Sequence, residues 1–328
     1  MATKQQQGLH ALANEAYAWL APGGGWGWSN AGLIVDGEES LLIDTLYDLE
    51  LTAAMLSGMR AAEPLANNID TLVNTHANGD HCHGNELVGD AKIIASTASA
   101  LEMAELPPEA MAAIMTAARD MGPVGEYFIH CFGQFRFEGI RHTPPTHTFD
   151  GCMDLRVGDK PVHLIEVGPA HTRGDVLVHS PVDRCVYTGD ILFIEGTPVM
   201  WQGPVANWIK ACRLIEGMDV ESIVPGHGPV TDKPGVIAVR HYLEYVHDQA
   251  RSRYDAGMCA FDAAKDIELN EYSSWSDPER IAVNVDSLYR EFSGEDTVTD
   301  VVELFGQMAE LAGFGAAATD TPTHNDND

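Results

Sequence analysis

The stretch Leu72–Asn85, LVNTHANGDHCHGN, sets three histidines, an aspartate and a cysteine directly after a short apolar run. IDTLVNT (69–75) reads as a buried strand that leads into it. Loops at strand ends are where layered α/β proteins carry polar chemistry on a rigid scaffold. The same arrangement recurs further along. His76, Asp80 and His81 follow LVNT, His171 follows LIEVGPA, Asp190 follows CVYTG, and His227 follows IVPG. Imidazole nitrogen and carboxylate oxygen suit zinc, and also iron or manganese. Each residue alone has a plainer reading: a single His near a turn is commonly structural, and an Asp in a TGD turn commonly caps it.

The surrounding pattern is layered. AGLIVDG (31–37) and SLLIDT (40–45) read as a hairpin around an Asp-Gly turn, and residues 49–62 as a helix. KIIAS (92–96) is a further strand. Residues 97–121 read as two helices broken at Pro107-Pro108, while 122–147 shows no clear period. A second strand set covers 153–169 and 175–190. A helix at 205–218 and a strand at 221–230 follow, and from Lys233 nearly everything is helical. Strands then helices, twice over, predict two packed sheets with helices outside, an α/β four-layer αββα sandwich. The expected divisions are an N-terminal segment 1–24, a main domain 25–232 with a helical insert at about 97–147, a helical region 233–314, and a disordered tail 315–328 of small and polar residues. The helical region either packs on the sandwich or forms a homodimer interface.

In order and spacing, these motifs resemble those of the metallo-β-lactamase superfamily. THANGDH is similar to its Thr-His-x-His-x-Asp-His motif, GPAHTRGD to its His-Thr-x-Gly-Asp motif, YTGDILF to its bridging-aspartate motif and VPGHG to its last histidine; the resemblance covers about residues 28–230. It implies a metal-dependent hydrolase with its site at one edge of the paired sheets. By that likeness the first metal site takes His76, Asn78 and His171. The second takes Asp80, His81 and His227, with Asp190 bridging. The departure is Asn78, which stands where the motif has its second histidine. An amide oxygen is a poor zinc ligand beside imidazole. Ligand count therefore favours one metal held mainly at the second site, over two metals with a weakened first site, or none. His83 is expected to pack or cap rather than ligate, and Cys82 to be a small apolar residue at the turn.

The chemistry that the resemblance implies is attack by a metal-bound hydroxide on an ester, thioester, lactone or amide of a small, fairly apolar substrate. Asp80 would ligate and hold the attacking water, with Asp190 as anchor. His76 and His171 complete the cup, either one becoming a general base if the first site is empty. Asn78 would then donate to a developing oxyanion. Asp175 is expected to orient a ligand or to hold a plain turn. Substrate contacts are expected from Trp26 and Trp28 in a Gly-rich loop, from Phe193 and Trp201 after Asp190, and from Arg173, the one basic residue near the site. Packing roles for the aromatic residues are the alternative. Two other readings stay open: a lyase, cyclase or iron redox enzyme on the same fold, and a non-catalytic metal-binding protein.

Composition narrows the partners to a small molecule. Of 328 residues, 49 are acidic and 19 basic, a net charge of −30. Phosphate recognition needs clustered Lys and Arg, so nucleic acid and anionic membranes are expected not to be partners. Six cysteines without CxxC spacing read as reduced thiols. The N-terminal stretch lacks a continuous apolar core, and no run approaches the ~18 apolar residues of a membrane span. The expected compartment is the cytoplasm.

Overall fold

AYAWL (16–20) alternates buried and half-buried side chains, and in the computed structural model of the protein it is a strand that turns Ala16, Ala18 and Leu20 inward. The described residues are 7–21, 23, 25–294 and 299–315. Strands β1 (Gly8–Ala11) and β2 (Ala16–Leu20) pair with each other, and β2 pairs with β3 (Ala31–Asp36). Residues 8–20, set apart from the sandwich on sequence grounds, thus supply the outer strands of its first sheet. Two of the three inward side chains are alanines, which makes the apolar signal weak.

The first sheet has seven strands in chain order. β4 (Glu39–Ile43) closes the expected hairpin, and β5 (Thr71–Val73), β6 (Lys92–Ser96) and β7 (His147–Phe149) join it in parallel. Helix α1 (Leu49–Ala62) starts where the Asp48 carboxylate accepts the Leu51 N–H at 2.8 Å, a side-chain cap on an otherwise orphan donor. The single turn α2 (Gly79–Cys82) follows β5. The insert folds as α3 (Thr97–Glu102), α4 (Pro108–Ala118) and α5 (Pro123–Phe132). The last of these lies in the segment with no readable period. Its buried positions, Gly125, Tyr127, Phe128, Cys131 and Phe132, share one face, but the helix is only 10 residues long and the apolar Ile129 sits on the exposed face, which blurs the stripe in sequence.

The second sheet runs β12-β11-β10-β9-β8, from β8 (Cys152–Val157), β9 (Lys160–Glu166), β10 (Val176–Ser180), β11 (Cys185–Tyr187) and β12 (Ser222–Val224). Helix α6 (Val205–Gly217) precedes β12. α7 (Lys233–Asp255), α8 (Ala260–Asp266), α9 (Ile281–Ser293) and α10 (Val301–Leu311) follow it.

Alternation along the strands divides the core into layers. Ile34, Leu41, Ile43, Val73 and Ile94 of the first sheet meet Val162, Leu164, Val176, Val178 and Val224 of the second. The opposite face of the first sheet, with Leu33, Leu42 and Ile93, packs on Met55, Leu56 and Met59 of α1. The opposite face of the second sheet, with Leu177, Val186 and Ile223, packs on Trp208, Val239, Tyr242 and Leu243. This is the expected αββα sandwich. The same outer cluster takes in Phe128 and Phe132 of α5, Leu288 of α9 and Phe305 of α10, so the C-terminal helices cover the sandwich of their own chain. The tail expected to be disordered lies, from residue 316 on, outside the described residues. Among the described residues, no helix is long and apolar enough to cross a membrane.

Candidate metal centre

Four polar strand ends and one helical turn converge at an edge of the paired sheets. His76 follows β5, and α2 presents Asp80 and His81 one turn later. His171 follows β9, Asp190 follows β11 and His227 follows β12. All six are buried. The hub is Asp190. Its Oδ1 lies 3.1 Å from His81 Nε2, and its Oδ2 lies 3.3 Å from both His171 Nε2 and His227 Nε2 and 3.8 Å from His76 Nε2. Asp80 Oδ2 lies 3.3 Å from His227 Nε2. Two sets offer ligand atoms within 4.8 Å of one another: His76, His171 and Asp190, and Asp80, His81 and His227.

The ring faces are fixed from behind. Asp44, at the end of β4, accepts the Thr75 N–H at Oδ1 (2.7 Å) and the Thr75 hydroxyl at Oδ2 (2.7 Å), and its Oδ2 lies 2.9 Å from His81 Nδ1. Because the Thr75 hydroxyl donates to Asp44, its oxygen is left to accept from His76 Nδ1, 3.0 Å away. His171 Nδ1 donates to the Val199 carbonyl (2.6 Å) and His227 Nδ1 to the Trp28 carbonyl (3.0 Å). In every case Nδ1 faces a fixed acceptor, so Nε2 is turned toward the shared space. That is how metal-facing histidines are oriented elsewhere. Trp208 on α6 adds support. Its Nε1–H donates to the Ile191 carbonyl at 2.8 Å, beside Asp190, and its ring meets the His171 ring edge-on at 5.8 Å.

The residues fit a divalent cation. His76 Nε2 is a buried polar atom without a hydrogen-bond partner, and His81 Nε2 and Asp190 Oδ1, equally buried, have only each other at 3.1 Å; all three border the shared space. Buried polar atoms left so are costly unless an ion takes them. The charges agree. Burial pushes His76 and His171 below the ordinary imidazole value, so both are neutral. Burial opposes charge on His227 too, but Asp190 and Asp80 outweigh it and raise the ring to about 9; His81 moves the same way. Burial also opposes charge on Asp80, and His81 and His227 outweigh it and hold the carboxyl at about 2. Positive charge is therefore called for on the Asp80–His81–His227 side, where a divalent cation would take the place of protons.

Asn78 caps the N-terminus of α2 without a side-chain bond to the helix, and its amide oxygen, Oδ1, is placed 3.0 Å from His171 Nε2. With Nδ1–H committed to Val199, the neutral His171 ring has only an acceptor at Nε2. The matching partner is the Asn78 amide N–H, since the two ends of an amide exchange by a half-turn. Asn78 thus occupies the metal-facing nitrogen of His171.

The other residues singled out in the sequence lie around this centre in the following places. Phe193 does not line an open face: it is 1% exposed and lies flat against the His227 ring, 5.0 Å away at 3°. Arg173 is held by Glu102 and Glu105, so its charge is already matched. Trp26 and Trp201 pack on each other and on Phe305. Trp28 packs on Phe135 and borders a narrow cleft with Trp19, Gly27 and Leu46. These aromatic rings, with Tyr47 and Phe132, form a wall beside the centre rather than isolated stacking sites. His83 packs on Tyr47 and Phe137, and Cys82 is half-buried with its thiol on the Ala77 and Asn78 carbonyls. Asp175 accepts the Thr172 N–H and hydroxyl and so braces the loop that carries His171. Asp44 went unremarked in the sequence, although it ends an apolar strand like the others. Its backbone is left-handed, at φ +61°, which aspartate tolerates better than most residues.

The sequence matches the profile of the Metallo-beta-lactamase superfamily over residues 24–227. The chain belongs to this superfamily. Members typically bind divalent metals and include hydrolases such as sulfatases and lactamases. The superfamily chain is 25% identical over 219 residues to a beta-lactamase-like protein 2 homolog of Caenorhabditis elegans; the match spans 66% of this chain and 61% of the relative. It is 29% identical over 90 residues, 26% of each chain, to the 2,4-dinitroanisole O-demethylase subunit alpha of Nocardioides sp. (strain JS1661). Among solved structures, the fold is similar to that of the stereoselective inverting sec-alkylsulfatase Pisa1 from Pseudomonas sp., with a TM-score of 0.66 and 15% identity over 88% of this chain and 50% of that one. It is also similar to a metallo-beta-lactamase from Pontibacter korlensis, with a TM-score of 0.53 and 18% identity over 73% and 99%. The chain thus spans 61% of the curated relative and half of the alkylsulfatase.

Proposed function

We propose that the protein is a metal-dependent hydrolase that cleaves an ester-type bond (ester, thioester, lactone or amide) in a small, apolar molecule, using one divalent metal. The observation that carries this reading is the set of buried imidazole and carboxylate ligand atoms converging on Asp190, set beside an aromatic wall. Asp80, His81 and His227 would hold the ion, with Asp190 shared. A divalent cation in such a set supplies Lewis acidity and water of lowered pKa. The remaining work belongs to the chain. Asp80 would accept a hydrogen bond from the attacking water and hold it in line. His76, neutral and with Nε2 free of a hydrogen-bond partner, would be the proton acceptor. The Asn78 amide, turned with its N–H toward the site, would donate to developing negative charge. Trp28, half-buried and backed by the buried Tyr47 and Phe135, would meet the apolar part of the substrate and exclude water.

Among the described residues, the buried or half-buried arginines beside this wall are matched, Arg173 by Glu102 and Glu105 and Arg280 by Asp277. That favours an uncharged substrate over an anionic one. Zinc is the first expectation for the metal, and iron or manganese suits the same donors. The test is turnover of a panel of short acyl esters, thioesters, lactones and anilides by protein loaded with zinc, manganese or iron, with His81→Ala as control. Turnover that needs the metal and is lost in the variant is expected. A loaded protein that is inert on the whole panel would sink the hydrolase reading.

A further inference from the structure

The geometry points to Arg280, in the C-terminal region and beyond the part matched by the family profile, as a positioning residue for His227 in the metal centre. The inference rests on the proposal that His227 faces the metal. Arg280 precedes α9 and is 1% exposed. Its guanidinium sits 5.4 Å from the Phe193 ring centre and 4.2 Å from that of Trp26. Both aromatic residues lead to His227. The Phe193 ring is stacked flat on the His227 ring at 5.0 Å. Trp26 shares a loop with Trp28, whose carbonyl accepts from His227 Nδ1. One buried cation therefore holds both supports of one imidazole: the ring against its face and the loop behind its edge. Cation–π contacts gain strength when desolvated, as here.

The backbone around Arg280 reinforces this. The connection after β11 makes one 3-10 turn, Gly189–Ile191, then runs past Phe193 to Met200, and the C-terminal segment meets it at a bridge between Gly196 and Ser276. Thr197 N–H donates to the Ser276 carbonyl (2.9 Å) and Ser276 N–H to the Glu195 carbonyl (3.0 Å). Arg280 Nη1 donates to the Thr197 carbonyl (2.8 Å), and Asp277 Oδ2 lies 3.2 Å from Nη2. Four residues on, the Asn284 amide accepts the Met200 N–H (2.8 Å) and donates to the Pro198 carbonyl (2.9 Å). These two bonds flank Val199, whose carbonyl orients His171. The strap that braces the two rings is thus itself held from residues 276–284. At Thr197, Val199 and Met200, which are buried with Arg280 and Asn284, no water is at hand to replace those bonds.

Three measurements test this. Arg280→Met and Phe193→Leu both break the path from Arg280 to His227. Each is expected to weaken zinc binding, read by chelator competition, about 10- to 100-fold, as loss of partners behind a ligand commonly does. Each should also shift the visible spectrum of cobalt(II)-loaded protein, which reports ligand geometry. Met59→Ala, in the α1 layer, should lower thermal stability without changing zinc affinity or that spectrum. Unchanged affinity and spectrum in folded Arg280→Met and Phe193→Leu would overturn the inference. If neither variant folds, hydrogen exchange of the wild type decides. Zinc should slow the Thr197 and Ser276 amides more than it slows global opening, because coupling between two sites is reciprocal. Slowing no greater than the global effect would count against the inference. Wild-type protein that binds no zinc at all would instead refute the proposed metal centre.

Discussion

Asn78 decides the metal count, if the amide blocks His171. Asn78→His restores an imidazole at that position and is expected to raise bound zinc from one toward two per chain. Metal analysis of the dialysed proteins reads this directly, and an unchanged count would show that Asn78 is not what limits the first site. His83, two residues beyond His81, carries a separate consequence. Burial pushes its ring down from 6.5 to about 4, so it stays neutral in the folded chain. The unfolded chain takes up the proton first. Stability is therefore lost as pH falls from 6.5 toward 4, by about 1.4 kcal/mol per unit. Between about pH 7 and pH 5 this is about 2 kcal/mol. Denaturant melts of wild type and His83→Leu should diverge by that amount over the interval, and parallel pH profiles would contradict it.

At the scale of elements, what matters is how closely the strand-end loops approach one another. A Cβ on Gly226 would stand 1.9 Å from Asp190 Oδ1 and 2.7 Å from the Gly189 carbonyl carbon. The glycine of VPGHG is there because the β12 loop passes against the β11 loop at the hub of the site. Gly226→Ala is expected to cost about 1–3 kcal/mol by overpacking and to lower zinc affinity at least about tenfold by displacing Asp190. Urea melts and chelator competition check the two effects, and wild-type values in both would refute this packing argument. Much at this scale was legible in sequence. The strand ends with His76, Asp190 and His227 carry short local signals: an apolar run, then a Gly-containing turn with a ligand. Helix α5 was harder to read, because it is only 10 residues long and the exposed Ile129 puts an apolar residue opposite its buried face.

Across the whole molecule, the charge of −30 is a property of the surface that the core must withstand. Like charges repel in the compact state more than in the expanded one. Added sodium chloride screens that repulsion, and should raise the melting temperature by about 2–4 °C for each kcal/mol relieved. A melting temperature that stays flat or falls from low to moderate salt would show that the acidic groups are already neutralised by their ion pairs. The C-terminal helices matter at this scale too. Their apolar residues close the outer layer of the second sheet, and through Arg280 and Asn284 they reach the supports of the metal centre.

Local spacing determined that the chain would fold as two packed sheets and which strand ends would carry His76, Asp80, His81, His171, Asp190 and His227. Those features depend on periodicity and on turns a few residues long, which a sequence displays directly. Only the tertiary structure decided that Asp190 touches four imidazoles, that Asp44 and Thr75 fix two of those rings, and that Phe193 backs His227 instead of facing a substrate. These contacts join residues far apart in the chain, and their side chains serve by where they are held, which no local pattern records.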